Sequence, residues 1–445
     1  MASEISTDEI AKTAESCARK AGCNDVSVIC ADSDDSQVRF ANNIITLVNN
    51  VRNLTLEIYI SKGGKRMIGA TYNPTTEGIE KFISNLVKSC DALPPSNDYV
   101  PLPAGPFRYS GHANYDPKVA DAELVSYVKQ TIDHGISAGA KRVSGSLNTE
   151  STEVTIVTSG EASGKDRQTQ VLLNVRAFAD DNASGQGLSC SSYISGFDHE
   201  RAGRKAGDDA KRSLNPKTMP DGNYDVIFSP TVVANILPVA SNASAFSIES
   251  GNSFLADKLG QEVAVTNLTI EDYGVYEGGL GGRIFDDEGI PTRTNEIVIN
   301  GKFTEMLHNS TTAKKFGKKS TGSAGIIAPR PSTIVFSRGD SSLEEIVKET
   351  DNGLLITNNW YTRYQNMRTG EYSTVPRDAA FRIQSGEISE PIAGLRVSDS
   401  IPRQLQNIKS ISKEREWIRW WEVSTPTYAP AMKVAGVHIT RATGS

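Results

Sequence analysis

The residues most able to do chemistry in this chain are a histidine–glutamate pair, an acidic turn, two glycine-rich loops and a tryptophan cluster. His199-Glu200 opens like the helix of a zinc peptidase, in which a second His one turn later turns both imidazoles toward one metal. Positions 203 and 204 hold Gly203 and Arg204, so that second ligand is missing at either common spacing. The pair reads instead as a polar helix start after Asp198, with an acid in the first turn where the helix dipole favours it. His112, His134, His308 and His438 are scattered, none of them lies between Glu200 and Leu307, and no cysteine follows Cys190. A metal site in the C-terminal half would need carboxylates alone, or His308 together with His438.

Gly160-Glu161-Ala162-Ser163-Gly164-Lys165 mimics a phosphate loop, but it is one residue short and Asp166 stands where a hydroxyl should meet magnesium. It reads as a turn between strands. Gly278-Gly279-Leu280-Gly281-Gly282 lacks the helix start that a phosphate cradle needs, and implies close backbone packing or a flexible loop. Asp286-Asp287-Glu288-Gly289 is an acid cluster with turn chemistry, and three adjacent carboxylates are expected to be solvated. Lys314-Lys315-Phe316-Gly317-Lys318-Lys319 reads as a solvated basic loop. No GxSxG elbow is present, so a serine hydrolase has no support. Trp417, Trp420 and Trp421 lie beside Arg419, and they suit either a core or a partner interface.

The elements that must position these groups fall into two parts. A chain of 445 residues exceeds one ordinary core, and 38% hydrophobic with 22% charged residues is a globular composition. The net charge of -6 disfavours direct nucleic-acid binding, which needs a basic face. No apolar run is long enough to span a bilayer, which implies no membrane association. The polar start at residues 1–7 implies no signal peptide, and five cysteines without a CxxC pair imply free thiols, so a cytoplasmic location is expected. Ser6 and Glu9 are spaced as a capping box for a first helix ending at Gly22. Strand-like runs follow at 26–30, 38–48, 51–60 and 66–72, and then a helix at 76–90 with Ile79, Phe82, Ile83, Leu86 and Cys90 on one face. A Pro/Gly/Tyr-rich connector covers 94–117.

The same order recurs after it: a helix through Leu124, Val128 and Ile132, strands at 142–147, 154–158, 168–179 and 188–194, and a helix at 201–214. The predicted class is α+β. An N-terminal domain, 1–214, is a duplicated helix–four-strand–helix unit with halves at about 1–92 and 118–214. A mainly β C-terminal domain, 223–445, follows, with few helical runs, at 232–240 and 343–349.

Several short stretches carry a resemblance. They are Val38-Arg39-Phe40-Ala41-Asn42-Asn43, Glu200-Arg201-Ala202, Gly251-Asn252-Ser253-Phe254-Leu255 with Leu259-Gly260, and Phe285 through Thr292. Asn300-Gly301, Thr321-Gly322-Ser323-Ala324, Gly386-Glu387-Ile388 and Ala435-Gly436 complete the series. In their order and spacing the chain resembles the TldD/PmbA family of U62-type peptidases over nearly its whole length. TldD-type members carry an HExxxH helix before the Ser-Phe segment and a cysteine ligand near the C-terminus. Here the corresponding stretch, 232–250, has no His and no Glu before Glu249, and Val423-Ser424-Thr425-Pro426 stands where the cysteine would fall.

The resemblance therefore implies the TldE (PmbA) branch: a subunit with no cofactor of its own, paired with a TldD-type partner that holds zinc. Together they would process unfolded peptides. A homodimer in isolation is also compatible. The alternative is a stand-alone regulatory protein of the DNA-gyrase-modulator type. On this reading no catalytic or metal-binding residue is assigned to this chain. Asp286, Asp287, Glu288 and Gly289 form a candidate peptide-channel or structural loop, and Trp417, Trp420 and Trp421 a candidate interface.

Overall fold

The computed structural model describes residues 6–441; residues 1–5, which carry much of the argument about a leader, and 442–445 lie outside the described residues. Ser6 and Glu9 close the expected capping box on helix α1 (Thr7–Lys20). The chain then makes three long strands, β1 (Asp25–Ala41), β2 (Ile44–Lys62) and β3 (Lys65–Tyr72), and helix α2 (Thr76–Asp91). After the connector come α3 (Leu124–Ser137), β4 (Arg142–Thr158), β5 (Ser163–Phe178), β6 (Ser184–Ser191) and α4 (His199–Arg212).

These strands form one antiparallel sheet in the order β3-β2-β1-β4-β5-β6, which reads the same from either end. Each half therefore has three strands, where the sequence suggested four. The polar stretch Ser33-Asp34-Asp35-Ser36-Gln37 splits the apolar pattern of β1 without breaking the strand, and the break falls at Asn42-Asn43, both at positive φ. In the second half, the runs at 142–147 and 154–158 are likewise a single strand. Apolar periodicity registers only where a helix covers the sheet. Helices α1 and α2 cover the first half through Ile10, Ile58, Ile79 and Ile83; α3 and α4 cover the second through Val128, Leu173, Ala202 and Ala206.

From Gly222 on, strands dominate, as expected. The strand Val423–Arg441 is the spine of a 13-stranded mixed sheet. It pairs antiparallel with Gly222–Phe228, Leu395–Ser400 and Ile408–Trp420, and parallel with Thr333–Phe336. The expected helix at 232–240 is broken at Leu237-Pro238 into short pieces, Pro230–Ile236 and Val239–Asn242, because proline cannot donate within a helix. Three further short helices, Ala245–Glu249, Ser310–Phe316 and Ile401–Gln406, were not read from the sequence.

The large core of this region takes in Leu188 and Cys190 of β6, so the two sheets share buried surface. All five cysteines are unpaired, Cys17 half-buried and the others buried. No helix among the described residues is long and apolar enough to cross a membrane.

Candidate functional site

A cleft of about 620 Å³ opens between the N-terminal sheet and the C-terminal region. Its floor is the face of the sheet left free by the helices: Ile29 and Ala31 of β1, Thr55 and Glu57 of β2, Val154 of β4 and Asp166–Gln168 of β5. Its walls are C-terminal loops, contributing Ser241, Ser244 and Ser247, then Gly281 to Arg283, then Ala328 to Ser332, and finally Arg419 with Ser424, Thr425 and Pro426. Four arginines line it, Arg167, Arg283, Arg330 and Arg419.

The acidic turn is the hinge piece of this cleft, and the expectation that it is solvated is wrong. Asp286 and Glu288 are buried. Asp286 accepts from the backbone N–H of Glu288 (3.0 Å), Ile290 (2.9 Å) and Ala324 (2.9 Å). Glu288 accepts from the N–H of Ser310 (3.0 Å) and from its hydroxyl (2.6 Å). Burial pushes the Asp286 carboxyl up to about 6 despite those bonds. Burial, with Asp286 nearby, pushes Glu288 up to about 7. Asp287 alone of the three faces the cleft, where Arg283 (2.8 Å) and Arg330 (3.2 Å) both hold it.

The turn is also the seam between the two parts of the chain. The Ser27 hydroxyl of β1 donates to the Asp287 carbonyl at 2.8 Å, and the Tyr109 hydroxyl donates to the Gly289 carbonyl at 2.5 Å. Gly289 sits at φ +82°, and a Cβ there would lie 2.4 Å from that of Ala162, so both conformation and space require glycine. Sequence reading missed a second tie. Asp166 accepts from the N–H of Ala113 (2.8 Å) in the connector and of Ile284 (3.0 Å) across the seam. Asn114 reaches the Tyr276 (3.0 Å) and Gly281 (2.8 Å) carbonyls. The connector is thus pinned at Ala113 and Asn114.

The other motifs settle as follows. His199 stands at the start of α4, capped by Asp198, bonded to Gln130 at 2.7 Å and stacked on Phe197. Gly160 and Glu161 form the β4–β5 turn. In the Gly278–Gly282 loop, a Cβ at Gly279 would meet the Trp417 ring at 2.6 Å and one at Gly281 would meet Pro426 at 2.9 Å, which makes it close packing. Lys314, Lys315 and Phe316 end a helix closed by Gly317 in the left-handed region, correcting the loop reading. His308 is buried, with its ring beside Phe316. Among the described residues no three His, Cys, Asp or Glu side chains gather as a metal would require.

The tryptophans part company. Trp417 stacks on Tyr428 (4.6 Å between centroids) and Trp420 is buried in the core, which leaves Trp421, 54% exposed, as the one of the three facing outward.

Two family models match this chain: the PmbA/TldA metallopeptidase C-terminal domain over residues 221–441 and the central domain over 113–214. The chain belongs to the PmbA/TldD family. A metalloprotease of Methanothermobacter thermautotrophicus is 30% identical over 263 residues, 56% of this chain and 57% of its own length. Metalloprotease PmbA of Escherichia coli O157:H7 is 30% identical over 225 residues, 50% of this chain and 48% of its own. The chain thus spans about half the length of the curated relatives it matches.

TldE from Thermococcus kodakarensis superimposes with a TM-score of 0.85 at 20% identity, covering 97% of this chain and all (100%) of that one. A Thermotoga maritima protein provisionally named a modulator of a DNA gyrase gives 0.85 at 22%, covering 98% and 100%. These neighbours establish the PmbA/TldD fold: α+β, with a mostly sheet C-terminal region.

Proposed function

We propose that this chain is the metal-free, TldE/PmbA-like subunit of a heterodimeric zinc peptidase that processes unfolded peptides. On this reading it supplies chamber and interface, and a TldD-type partner supplies the metal. One observation carries the reading. The stretch 232–250 and the segment 423–426, where the resemblance locates the ligands of TldD-type members, reach the same cleft through Ser241, Ser244, Ser247, Ser424 and Thr425. Neutral hydroxyls do not fit a zinc site, which takes thiolate, imidazole or carboxylate. Of the cleft's carboxylates, Asp287 is held by two arginines and Asp166 by backbone N–H groups, while Glu57 stands exposed on the floor. On this reading, with no metal-activated water, this chain supplies no agent of peptide hydrolysis. Trp421 with Tyr361, 54% and 47% exposed, is the part of the aromatic cluster placed to meet the partner.

Size-exclusion chromatography with metal analysis tests this, on the chain alone and mixed with a TldD-type protein of the same cell. A mixed complex holding zinc, with none in this chain alone, is the expected result. Stoichiometric zinc in the isolated chain overturns the site reading. A metal-free homo-oligomer that ignores the partner favours the gyrase-modulator alternative, the role named for the Thermotoga neighbour.

A further inference from the structure

We infer that the cleft is a carboxylate-binding site, in which Arg419 grips the carboxylate of an extended peptide and the Ser244 hydroxyl supplies a further bond. The inference rests on the chain's handling peptides, as proposed above, and it names the chemical group recognised.

The charge in the cleft is the first ground. The chain as a whole is acidic, at -6, yet four arginines line this one cleft against three carboxylates. The pairing is uneven, and Glu57 stands exposed on the floor with no ion pair among the described residues. Asp287 is shared by Arg283 and Arg330, and Arg167 pairs with Glu153 outside the cleft lining. Asp166 is buried and bonded to three backbone N–H groups. Arg419 is half-buried, donates to the Gln170 side chain, and has no carboxylate of the described residues within ion-pair distance. A guanidinium taken partly out of water without an anion is costly, and a carboxylate is its natural bidentate partner.

The second ground is independent of charge. Ser244 lines the cleft, and its Oγ is buried with no hydrogen-bond partner among the described residues. It starts the helix Ala245–Glu249 without capping it, so local structure makes no use of the hydroxyl. A buried polar group left unpaired is destabilising, and a ligand accepting or donating there recovers that cost.

The walls favour a peptide over a compact inorganic anion. Ile29, Val154, Phe285 and Pro426 give apolar surface for side chains, and the volume is of the size that holds small ligands or short peptide segments. A phosphate cradle would need free backbone N–H groups, and the Gly278–Gly282 loop is packed against Trp417 and Pro426.

The test is fluorescence anisotropy on the isolated full-length chain with three labelled Ala/Val pentapeptides. One has a free C-terminal carboxylate, one is amidated, and one is amidated with an internal Glu. Peptides bearing a carboxylate are expected to bind at least about ten-fold more tightly than the amidated peptide without one, the value of a charge-assisted pair. Whether the free terminus or the internal Glu gains more identifies which carboxylate is read. Arg419→Gln, which keeps an amide donor near Gln170, is expected to abolish the preference. Ser244→Ala removes no bond present in the structure, so it is expected to keep the melting temperature while weakening binding several-fold. Equal affinity for all three peptides, no binding of any, or a preference untouched by both variants overturns the inference. The two readings fail separately. A chain that reads carboxylates yet ignores a TldD-type protein refutes only the subunit reading. One that joins such a protein and reads no carboxylate refutes only this inference.

Discussion

The first and last strands of the N-terminal sheet occupy equivalent places in the two halves, yet one is an edge and the other is a core. Strand β3 (Lys65–Tyr72) has no residue in the buried class, whereas every residue of β6 (Ser184–Ser191) is buried. The helices above them differ in the same sense. Helix α2 stands off β3 on Phe82, Ile83, Leu86 and Val87, and a Cβ at Gly69 would meet only the ends of Leu86 and Phe82 at 2.8 and 2.9 Å. Helix α4 faces β6 with Ala202, Ala206 and Ala210, while its Gly203 and Gly207 meet helix α3, and a Cβ at Gly187 would lie 2.0 Å from the Ala202 carbonyl oxygen. The other side of β6 docks on the C-terminal region through Ser184, Gln186, Leu188 and Cys190. The sheet ends in a terminal strand on either side, and docking covers the face of one of them. Small residues on α4 let that half be thin enough to be covered on both sides.

The largest effect should come from breaking the docked side. Asp378, whose side chain is fully buried (0% exposed), accepts from Arg176 on β5 (2.5 Å), from the Ser184 hydroxyl on β6 (2.8 Å) and from Asn358. Asp378→Ala leaves a guanidinium and two polar groups without their acceptor. The expected loss is about 3–5 kcal/mol in urea unfolding. A loss below about 1 kcal/mol would mean that β6 is held by apolar contact alone.

At the seam between the halves the sensitive variable is pH. The Glu288 carboxyl is raised to about 7, so the fold favours its protonated form. The sign follows. The contribution is complete below the ordinary carboxylate range, near pH 4.5, and it fades as pH rises through about 7. The span is on the order of 3 kcal/mol for a shift of this size. Asp286, raised to about 6, adds a smaller change in the same direction. Thermal melts from pH 4.5 to 8 should therefore show stability falling with pH, and Glu288→Gln should flatten most of that slope. An unchanged slope in the variant would assign it to other groups.

Next in size is the glycine comparison. Gly187→Ala forces α4 off the sheet and should cost about 1–3 kcal/mol. Gly69→Ala, which displaces only side-chain ends, should cost a fraction of that. Equal losses, measured by urea unfolding of the two variants, would erase the distinction between the halves.

Local signals in the sequence located much of this architecture and little of the site. Helices α1 and α2 were legible because caps and a 3.6-residue apolar face are written within one turn of each other. The strand limits of β1 were not, because Ser33 to Gln37 lie beyond any covering helix and carry no apolar alternation. The acidic turn was misjudged for a different reason. Besides two local N–H donors to Asp286, its carboxylates are satisfied by Ala324 and Ser310, 38 and 22 residues away, and no local pattern announces those distant donors. Arg283, Arg330 and Arg419 look like any surface charge in the sequence, and only the topology brings them to one cleft. Trp420 and Trp421 were indistinguishable until the strand Ile408–Trp420 ended between them.

The smallest expected effect lies on the free side. Beyond β3's last partner, Thr55, residues 44–54 of β2 have β1 on one side and no strand of the described residues on the other, and Ile44, Leu47 and Val48 are 67%, 43% and 55% exposed. In a monomer Leu47→Lys changes an exposed position and should alter stability by less than about 0.5 kcal/mol. Leu188→Lys, at the docked edge, buries an unpaired ammonium and should cost several kcal/mol, about the penalty of an uncompensated buried charge. A bare strand edge whose one charged residue, Arg52, is paired with Asp32 is also a surface ready to pair with another chain. The informative readout is thus unfolding of Leu47→Lys at two protein concentrations. A loss that grows with concentration relative to the parent chain would show the edge covered by a second subunit in solution, since association stabilises by mass action. The free half would then be docked as well, to another chain instead of to its own C-terminal sheet.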